Sequence, residues 1–251
     1  MKLAPFWRYY GGKNRAAKRY PAPEHNTIVE PFAGAAGYSC HYPDRQIILI
    51  DQNPIICGIW RYLISASASE IRALPDIPAN GTVDDLNVCQ EIKWLAGFWC
   101  NSGSPIPWKS PSKHAKYDMA CDWVGGWSQL TRERLASQVD HIRHWKVIQG
   151  DYTRAPNIVA TWFIDPPYDN RHGRRYPSQP ASHADLGKWC QTQKGLVIVC
   201  ENDGAKWLPF KPFGTIQNAK KNGSNEVIWL NKSPKHWQGV QTSIKWSVNN
   251  D

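Results

Sequence analysis

The chain has 251 residues, with 30 Lys and Arg against 21 Asp and Glu and a formal net charge of +9. That length accommodates one large α/β domain, or a core domain with a smaller insertion. The positive excess favours an anionic partner such as nucleic acid, and the 14 Trp fit either a buried core or a base-stacking surface. Seven Cys without a Cys-x-x-Cys pair argue against a disulfide framework or a zinc site. No apolar run approaches the ~20 residues of a membrane span and no secretory signal is recognised, so we expect a reducing, cytoplasmic setting.

The first informative segment is residues 6–13, which read FWRYYGGK. Gly11 and Gly12 allow a tight turn and a close backbone approach, with Tyr9 and Lys13 placed on either side. Lys13 is suited to meet a carboxylate or a phosphate, and Tyr9 is suited to cover an apolar ligand. A solvated lysine after a turn is the alternative interpretation of Lys13 alone.

Two apolar segments separated by small residues predict the start of an α/β fold. Residues 27–30 predict a short strand that leads into a glycine-containing loop, an arrangement in which backbone amides can face a ligand. Residues 46–51 predict a second strand ending in Asp51, which is placed to accept hydrogen bonds from ribose hydroxyls, as in dinucleotide folds. Residues 53–65 predict a helix with Pro54 in its first turn. The alternative role for Asp51 is to cap that helix.

Residues 66–145 are less regular and interrupt the α/β pattern, so we interpret them as an insertion. Residues 84–99 predict a helix with one apolar side. Residues 101–116 are rich in Ser, Pro, Gly and Lys and predict an exposed loop. Residues 131–145 predict a second helix, with Thr131 as its N-cap.

The α/β pattern resumes with a strand predicted over residues 146–152. The next predicted strand, residues 159–164, is followed by Asp165, two prolines and Tyr168. Prolines lack the amide donors that a strand needs for sheet hydrogen bonds, and they stiffen the backbone. They therefore hold the Asp165 carboxylate and neighbouring carbonyls at the carboxyl end of the strand. Ligands bind at this end in open α/β sheets. Tyr168 offers a flat face for an aromatic ring, and the segment is suited to cradle the exocyclic amino group of a nucleobase. A Pro-Pro turn in which Asp165 caps backbone amides is the alternative.

Basic residues follow this segment. Arg171, Arg174 and Arg175 lie in one loop beside the predicted site and suit phosphate contacts, although a solvated basic loop is an ordinary alternative. Lys220 and Lys221 predict a basic hairpin turn. The remaining predicted elements are a helix at 183–192 and strands at 195–200, 212–217, 225–230 and 242–247.

Four segments together resemble the Dam-like group of DNA adenine N6-methyltransferases, in matching order and spacing. They are the amino-terminal cofactor motif at residues 9–13, the glycine loop at 29–37, the ribose-binding acid at 50–54, and the catalytic Asp-Pro-Pro-Tyr motif at 165–168. The resemblance covers about residues 5–65 and 146–231. It implies an α/β class I methyltransferase (Rossmann-like) fold, a mixed sheet flanked by helices. The catalytic domain would comprise residues 1–65 and 146–251, and residues 66–145 would be an inserted, mostly helical or irregular target-recognition region.

The resemblance also implies S-adenosyl-L-methionine as cofactor, DNA as partner, and a role for each matching residue. Tyr9 and Lys13 would hold the methionine end of the cofactor, and Asp51 would bind its ribose. Further expected cofactor contacts come from Phe32, Gly34, Gly37, Asp151, Tyr152 and Asp165. Asp165 and the Pro166 carbonyl would accept hydrogen bonds from the target amino group, and Tyr168 would stack on the flipped base. The expected DNA contacts come from Arg171, Arg174, Arg175, Lys220 and Lys221. No metal is needed.

The insertion departs from the family pattern, with only a loose counterpart at residues 97–99, so the resemblance carries no target sequence over. Methylation of cytosine N4 or of an RNA base is one alternative activity, because related motifs serve those amines. A catalytically silent nucleic-acid binder is another, and the complete set of Lys13, Asp51, Asp165 and Tyr168 weighs against it. The resemblance places the protein in a bacterial or phage-encoded setting, and a monomer is assumed.

Overall fold

A computed structural model describes residues 2–101, 103–120, 125–217, 223–235 and 237. Within these residues, seven strands form one mixed sheet. The strands are β1 Thr27–Glu30, β2 Gln46–Asp51, β3 Lys146–Gln149, β4 Val159–Ile164, β5 Lys194–Asn202, β6 Lys211–Gln217 and β7 Gly223–Leu230. The predicted α/β class is therefore confirmed at the level of a mixed sheet with helices, which is compatible with a Rossmann-like fold.

The strand order in the sheet is β3-β2-β1-β4-β5-β7-β6. The pairs from β3 to β5 are parallel, whereas β7 runs antiparallel to both β5 and β6. From β1 the chain adds β2 and β3 on one side and then returns to add β4 and β5 on the other. The order therefore reverses between β1 and β4, which is the kind of position where open α/β sheets bind ligands.

The described α-helices are α1 Pro54–Ser65, α2 Ala68–Arg72, α3 Gln90–Cys100, α4 Lys113–Ala120, α5 Gln129–Val139 and α6 His183–Thr192. The bounds of α1 and α6 agree with the predictions. Asn53 caps α1 by accepting a hydrogen bond from the Ile55 amide, and Pro54 occupies the first helical position, where no amide donor is required. Asp51 is therefore not the N-cap of α1.

Three expectations within residues 66–145 were wrong in their bounds or caps, although both predicted helices are present. The helix predicted over 84–99 begins only at Gln90, because residues 83–85 form a separate 3-10 turn capped by Thr82. The predicted loop over 101–116 already turns into α4 at Lys113. The helix predicted over 131–145 spans Gln129–Val139, and its N-cap is Ser128, whose hydroxyl accepts from the Thr131 amide.

The remaining predicted strands lie close to their expected places. β3 ends at Gln149 rather than 152, because Gly150 adopts a positive φ of 149° and Asp151 caps the 3-10 turn that follows. β5 is longer than predicted at both ends. The strand predicted at 242–247 and the two lysines Lys220 and Lys221 lie outside the described residues.

The sheet packs on both faces, because side chains alternate along each strand. Ile28 belongs to a large apolar cluster that also contains Trp60 of α1, Leu95 of α3 and Leu135 of α5. Val29 belongs to a smaller cluster on the opposite face, with residues of α6. The helices of residues 66–145 thus share one core cluster with the sheet, and their division into a separate unit stays a prediction.

Tryptophan supplies much of the core volume, since Trp7, Trp60, Trp99, Trp127 and Trp162 are almost completely buried. The six cysteines in the described ranges are free. None of the helices within those ranges has both the length and the apolar character that a membrane span requires.

Candidate functional site

A pocket lies where the sheet order reverses, at the carboxyl ends of β1 and β4. The space between its walls, including the open mouth, is about 690 Å³. Six of the predicted site residues line it together with Asp165. They are Tyr9, Lys13, Phe32, Gly34, Gly37 and Asp51. Residues from four separate parts of the sequence therefore converge on one cavity.

The loop after β1 forms one wall of the pocket. Gly34 has a φ of 44°, in the left-handed region that side chains rarely adopt. A Cβ at this position would lie 2.9 Å from the ring of Tyr9, so the absence of a side chain lets the tyrosine lie against the loop backbone. The Ala33 amide donates to the Ile50 carbonyl at 3.0 Å, which joins the loop to the end of β2.

Asp51 stands at the end of β2 and faces the same cavity. Its Oδ2 accepts from the Gly34 amide at 3.0 Å, and its Oδ1 accepts from the Asn53 amide at 2.9 Å. Burial raises the pKa of Asp51 to about 6, although these two amides act in the opposite direction. A carboxylate has about four acceptor positions, so roughly two remain for a ligand with hydroxyl donors.

The most unusual feature of the pocket is the environment of Lys13. Its side chain is 7% exposed, and its Nζ lies 2.8 Å from Asp165 Oδ1 and 3.5 Å from Glu226 Oε1. The same ammonium donates to the Gly11 carbonyl at 3.2 Å. Burial on its own lowers the pKa of a lysine, but the two carboxylates raise the pKa of Lys13 well above its ordinary value. The predicted contact with the methionine end of a cofactor would require one of these three contacts to be exchanged.

The pocket carries more acid than base. Glu226 is 6% exposed and accepts from the Tyr20 hydroxyl at 2.7 Å, and Glu30 is 3% exposed and accepts from the Ser39 amide at 2.7 Å. Burial raises the pKa of Glu30 to about 8 and that of Asp165 to about 6, the latter despite the nearby lysine. One buried ammonium is thus shared between the carboxylates of Asp165 and Glu226, and Asp51 adds a further carboxylate to the wall, whereas Glu30, with its pKa of about 8, is uncharged at neutral pH. Such a cavity favours a cationic ligand.

Tyr168 lies beside Lys13 and Asp165. The Lys13 ammonium sits 4.9 Å from the centroid of its ring, a cation–π distance. One face of the tyrosine is therefore already in use, and a stacked base would have to occupy the other. Pro166 is buried in the adjoining turn, and its neighbour Pro167 lines the pocket.

Asp151 and Tyr152 are placed differently from the other predicted cofactor residues. The Asp151 carboxylate caps its own loop by accepting from the Thr153 amide at 2.9 Å. The Tyr152 ring packs 5.9 Å from that of Phe32 and 5.0 Å from that of Trp189. Neither residue lines the pocket, although Tyr152 packs against Phe32, which does line it.

The basic loop after Tyr168 covers the pocket. Tyr176 donates a hydrogen bond to the Tyr10 carbonyl at 2.7 Å, and its ring packs 5.8 Å from that of Tyr9. The chain from Tyr176 to Gln179 forms part of the pocket wall. The predicted DNA contacts Arg171, Arg174 and Arg175 are exposed, and the last of these lies 5.7 Å from the centroid of the Tyr10 ring.

Glu226, Tyr20, Glu30 and Tyr176 were not predicted as site residues. Glu226 had a recognisable signal, because it is an acid directly before the apolar run of a predicted strand. Its contact with the amino-terminal segment spans most of the sequence, and no local pattern reports such a contact. Tyr176 had only the general signal of an aromatic residue in a basic loop.

Neither a protein-family model nor a curated protein matches this chain. A function assigned to the pocket therefore depends on the pocket's own residues. No group of three or more His, Cys, Asp or Glu side chains within the described ranges is arranged to hold a metal ion.

Proposed function

We propose that the protein is an S-adenosylmethionine-dependent DNA methyltransferase that modifies the N6 amino group of adenine. The observation that carries the proposal is the convergence of the four motifs in one pocket. The Asp-Pro-Pro-Tyr turn after β4 is fixed by Lys13 of the amino-terminal motif, and it faces the glycine loop and Asp51 across the cavity. The sheet order is compatible with the class I methyltransferase fold that the sequence resemblance implies.

The residues of the pocket suit the proposed cofactor. Two acceptor positions on Asp51 match the two hydroxyl donors of a ribose. The carboxylates around Lys13 suit a ligand with net positive charge, and S-adenosylmethionine carries a sulfonium, an ammonium and one carboxylate group. When bound, it would supply an electrophilic methyl group on sulfur. Phe32, Gly34 and Gly37 would line the cofactor beside Tyr9.

Asp165 would act on the target amino group. The lone pair of this nitrogen is delocalised into the adenine ring, so the nitrogen is a poor nucleophile. The Asp165 carboxylate and the Pro166 carbonyl would accept hydrogen bonds from its two protons and favour a pyramidal nitrogen whose lone pair faces the methyl group. The Asp165 carboxylate would also take up the proton that the nitrogen releases on methylation, and the electrons of the broken C–S bond would remain on sulfur. Lys13 would keep Asp165 in place and ionised.

The target base would have to leave the DNA stack to reach this pocket. Tyr168 would then stack on it through the ring face opposite Lys13. The exposed Arg171, Arg174 and Arg175 would contact phosphates next to the extruded nucleotide. Unstacking costs a few kcal/mol, which base–aromatic stacking and phosphate contacts would offset.

The test is methyl transfer from labelled S-adenosylmethionine to duplex DNA, single-stranded DNA and RNA, with the modified base identified by mass spectrometry. We expect N6-methyladenine in DNA. Asp169→Asn provides a matched control, because Asp169 is an exposed acid four residues from Asp165. Transfer to cytosine N4 or to an RNA base would reassign the substrate. Binding of nucleic acid without any transfer or cofactor binding would identify a silent relative and contradict the proposal.

A further inference from the structure

Glu226 contacts the Lys13 ammonium but is not part of the described pocket wall. Its Oε1 lies 3.5 Å from Lys13 Nζ, and its side chain is 6% exposed. The described residues that line the pocket include Lys13 and Asp165 but not Glu226. A ligand in the pocket would therefore meet Asp165 directly, whereas Glu226 would act on it through the lysine.

Glu226 is itself held through both its side chain and its backbone. Its Oε2 accepts a hydrogen bond from the Tyr20 hydroxyl at 2.7 Å. The Tyr20 ring stacks on that of Phe213 with 4.3 Å between the centroids, and it packs edge-on against Phe163 at 5.1 Å. The backbone of Glu226 pairs with β5 on one side and with β6 on the other. Each carboxylate oxygen thus has its own partner, in a position that the core fixes before any ligand binds.

The proposed reaction would leave the Lys13 charge uncompensated if Asp165 were its single counter-ion. Lys13 Nζ lies 2.8 Å from Asp165 Oδ1, and the lysine side chain is 7% exposed. When Asp165 takes up the proton from the amino nitrogen, its negative charge is lost. A buried ammonium without a carboxylate partner is strongly destabilised, and burial alone favours the neutral amine. A second carboxylate that takes no part in the proton transfer removes this difficulty.

We propose that Glu226 is the permanent counter-ion of Lys13 and, through this lysine, a positioning residue for Asp165. The inference rests on the proposed function, which assigns the proton uptake to Asp165. Glu226 keeps the ammonium charged and in place while Asp165 is protonated. Asp165 therefore returns to the same ion pair when it releases the proton, and the site is ready for the next substrate.

The charge of Glu226 also acts on the basicity of Asp165. Burial is the largest cause of the raised pKa of Asp165, which is about 6, while Lys13 lowers this pKa and Glu226 raises it further. The other titratable groups that face Asp165 are neutral near pH 6, because burial raises the pKa of each of them. They are Tyr20, Glu30, Tyr168, Tyr176 and Cys200. Removing the charge of Glu226 should therefore lower the pKa of Asp165.

The first experiment follows the Asp165 carboxyl carbon by NMR during a pH titration, without cofactor or DNA, with the signal assigned by its loss in Asp165→Asn. Glu226→Gln keeps an acceptor for Lys13 and Tyr20 but removes the charge, and the Asp165 midpoint should fall by roughly 1 pH unit. Glu226→Asp retains the charge and should recover most of that shift. Glu133→Gln is the matched control, because it removes the same charge from a 46% exposed position on α5, and it should leave the midpoint unchanged.

The second experiment uses Asp165→Asn, which imitates the protonated acid and leaves Glu226 intact. The Cε signal of Lys13 should show the ammonium form up to at least about pH 9, as for a lysine with an ordinary pKa of roughly 10.4. Adding Glu226→Gln should move the release of the proton to lower pH, because burial then acts without a carboxylate partner. Release near neutral pH in Asp165→Asn alone would overturn the inference, and this result does not depend on the folding of any Glu226 variant.

Single-turnover methylation connects these titrations to the reaction. In Glu226→Gln the acid limb of the pH profile should move to lower pH together with the NMR midpoint. The plateau rate should fall roughly 3- to 10-fold at unchanged DNA affinity, because a weaker base accepts the proton less readily. An unshifted NMR midpoint in the folded variant would overturn the inference, and so would a lower rate without displacement of the limb, since a merely structural role predicts that result. A shifted midpoint in a protein that transfers no methyl group would keep Glu226 as the counter-ion of Lys13 and contradict the proposed function.

Discussion

Replacing Asp165 with Asn tests the proposed mechanism most directly. The substitution keeps the size of the side chain and one carbonyl acceptor, but its amide protons would face the amino protons that the carboxylate is proposed to receive. In the proposed mechanism this hydrogen bond would strengthen as the nitrogen becomes pyramidal and loses charge to the methyl group. The variant should therefore lose transition-state stabilisation much more than DNA affinity.

The structure sets the expected magnitudes. Removal of one preorganised group that acts on a transition state typically costs about 10²–10³ in rate, and we expect a loss of that size. DNA affinity should change less than about threefold, which is under roughly 0.7 kcal/mol. Lys13 loses the negative charge of its partner at 2.8 Å, although the Asn carbonyl can still accept from it, and it keeps Glu226 at 3.5 Å and the Gly11 carbonyl at 3.2 Å. Stability should consequently fall by only about 1–3 kcal/mol, the cost of one poorly satisfied buried group.

The assay is single-turnover methylation with saturating cofactor, together with DNA binding and thermal melting of the same preparations. Asp169→Asn should behave like the native protein in all three measurements. Near-normal turnover in a folded Asp165→Asn protein would remove Asp165 from the reaction. A parallel loss of turnover and DNA affinity would instead give it a role in ground-state binding.

Four further predictions concern the cofactor, the base, the phosphates and the pH. Asp51→Ala should weaken S-adenosylmethionine binding by roughly 1.5–3 kcal/mol, the range for hydrogen bonds to a charged group, as measured by calorimetry. Tyr168→Ala should lose base stacking worth about 1–3 kcal/mol, and single-turnover rates should show a smaller loss when the target adenine is mismatched and easier to extrude. Replacing Arg174 and Arg175 with Gln should weaken DNA binding and flatten its salt dependence, with cofactor affinity almost unchanged. Because the raised pKa of Asp165 is about 6, this carboxyl group becomes protonated as the pH falls through 6, and the single-turnover rate should fall with it.

Each of these four predictions would be contradicted by a specific result. Unchanged cofactor affinity in folded Asp51→Ala would remove the ribose contact, and an equal loss on matched and mismatched DNA would remove the stacking role of Tyr168. An unaltered salt slope would leave Arg174 and Arg175 as surface charge. A rate that is flat between pH 5 and 8, the range around the Asp165 pKa of about 6, would show that its ionisation does not limit turnover.

The same raised pKa values determine how the free energy of unfolding changes with pH. Asp51 and Asp165 hold their protons to about pH 6 in the folded chain, whereas unfolded carboxyls release theirs near the ordinary value of 3.8. The folded state thus binds more protons between these values. The contribution of both groups to the free energy of unfolding therefore decreases as the pH rises from about 4 to 6.

The parallel part of the sheet was predictable because its strands are nearly continuous apolar runs, each ended by a residue that breaks the ladder. Val159–Ile164 is such a run, stopped by an acid and two prolines, and its end at this point was predicted correctly. The start of α1 was equally clear, because Asn53 and Pro54 each suit one particular position at a helix start.

Residues 66–145 were harder to predict because capping there depends on single hydroxyls. Ser128 and Thr131 both suit an N-cap, and only the structure shows that the Ser128 hydroxyl accepts from the Thr131 amide. Thr131 instead donates its hydroxyl to the Gly126 carbonyl at 2.7 Å. Ser128 and Thr131 have similar propensities for the N-cap position. Which of the two caps the helix depends on contacts that the local sequence does not determine.

The site was predictable in its motifs but not in its connections. Asp51 ends β2 and Asp165 follows β4, and both strands run parallel to β1 between them, so the topology places the two carboxylates at the same edge of the sheet. The sharing of Lys13 between Asp165 and Glu226 was not predictable, because β7 pairs with β5 in the antiparallel sense and brings its acid back across the sheet.

The hydrogen bond between Tyr20 and Glu226 joins residues 206 positions apart. During synthesis the amino-terminal motif would leave the ribosome long before β7, and the charge of Lys13 would lack one of its two carboxylate partners until that strand is made. Contacts of such separation form late, because closing a long loop costs entropy before the contact can repay it. The pocket should accordingly be among the last parts of the molecule to assemble. A nascent chain halted before Gly223 should lack the finished lysine site even with β1 to β5 already paired.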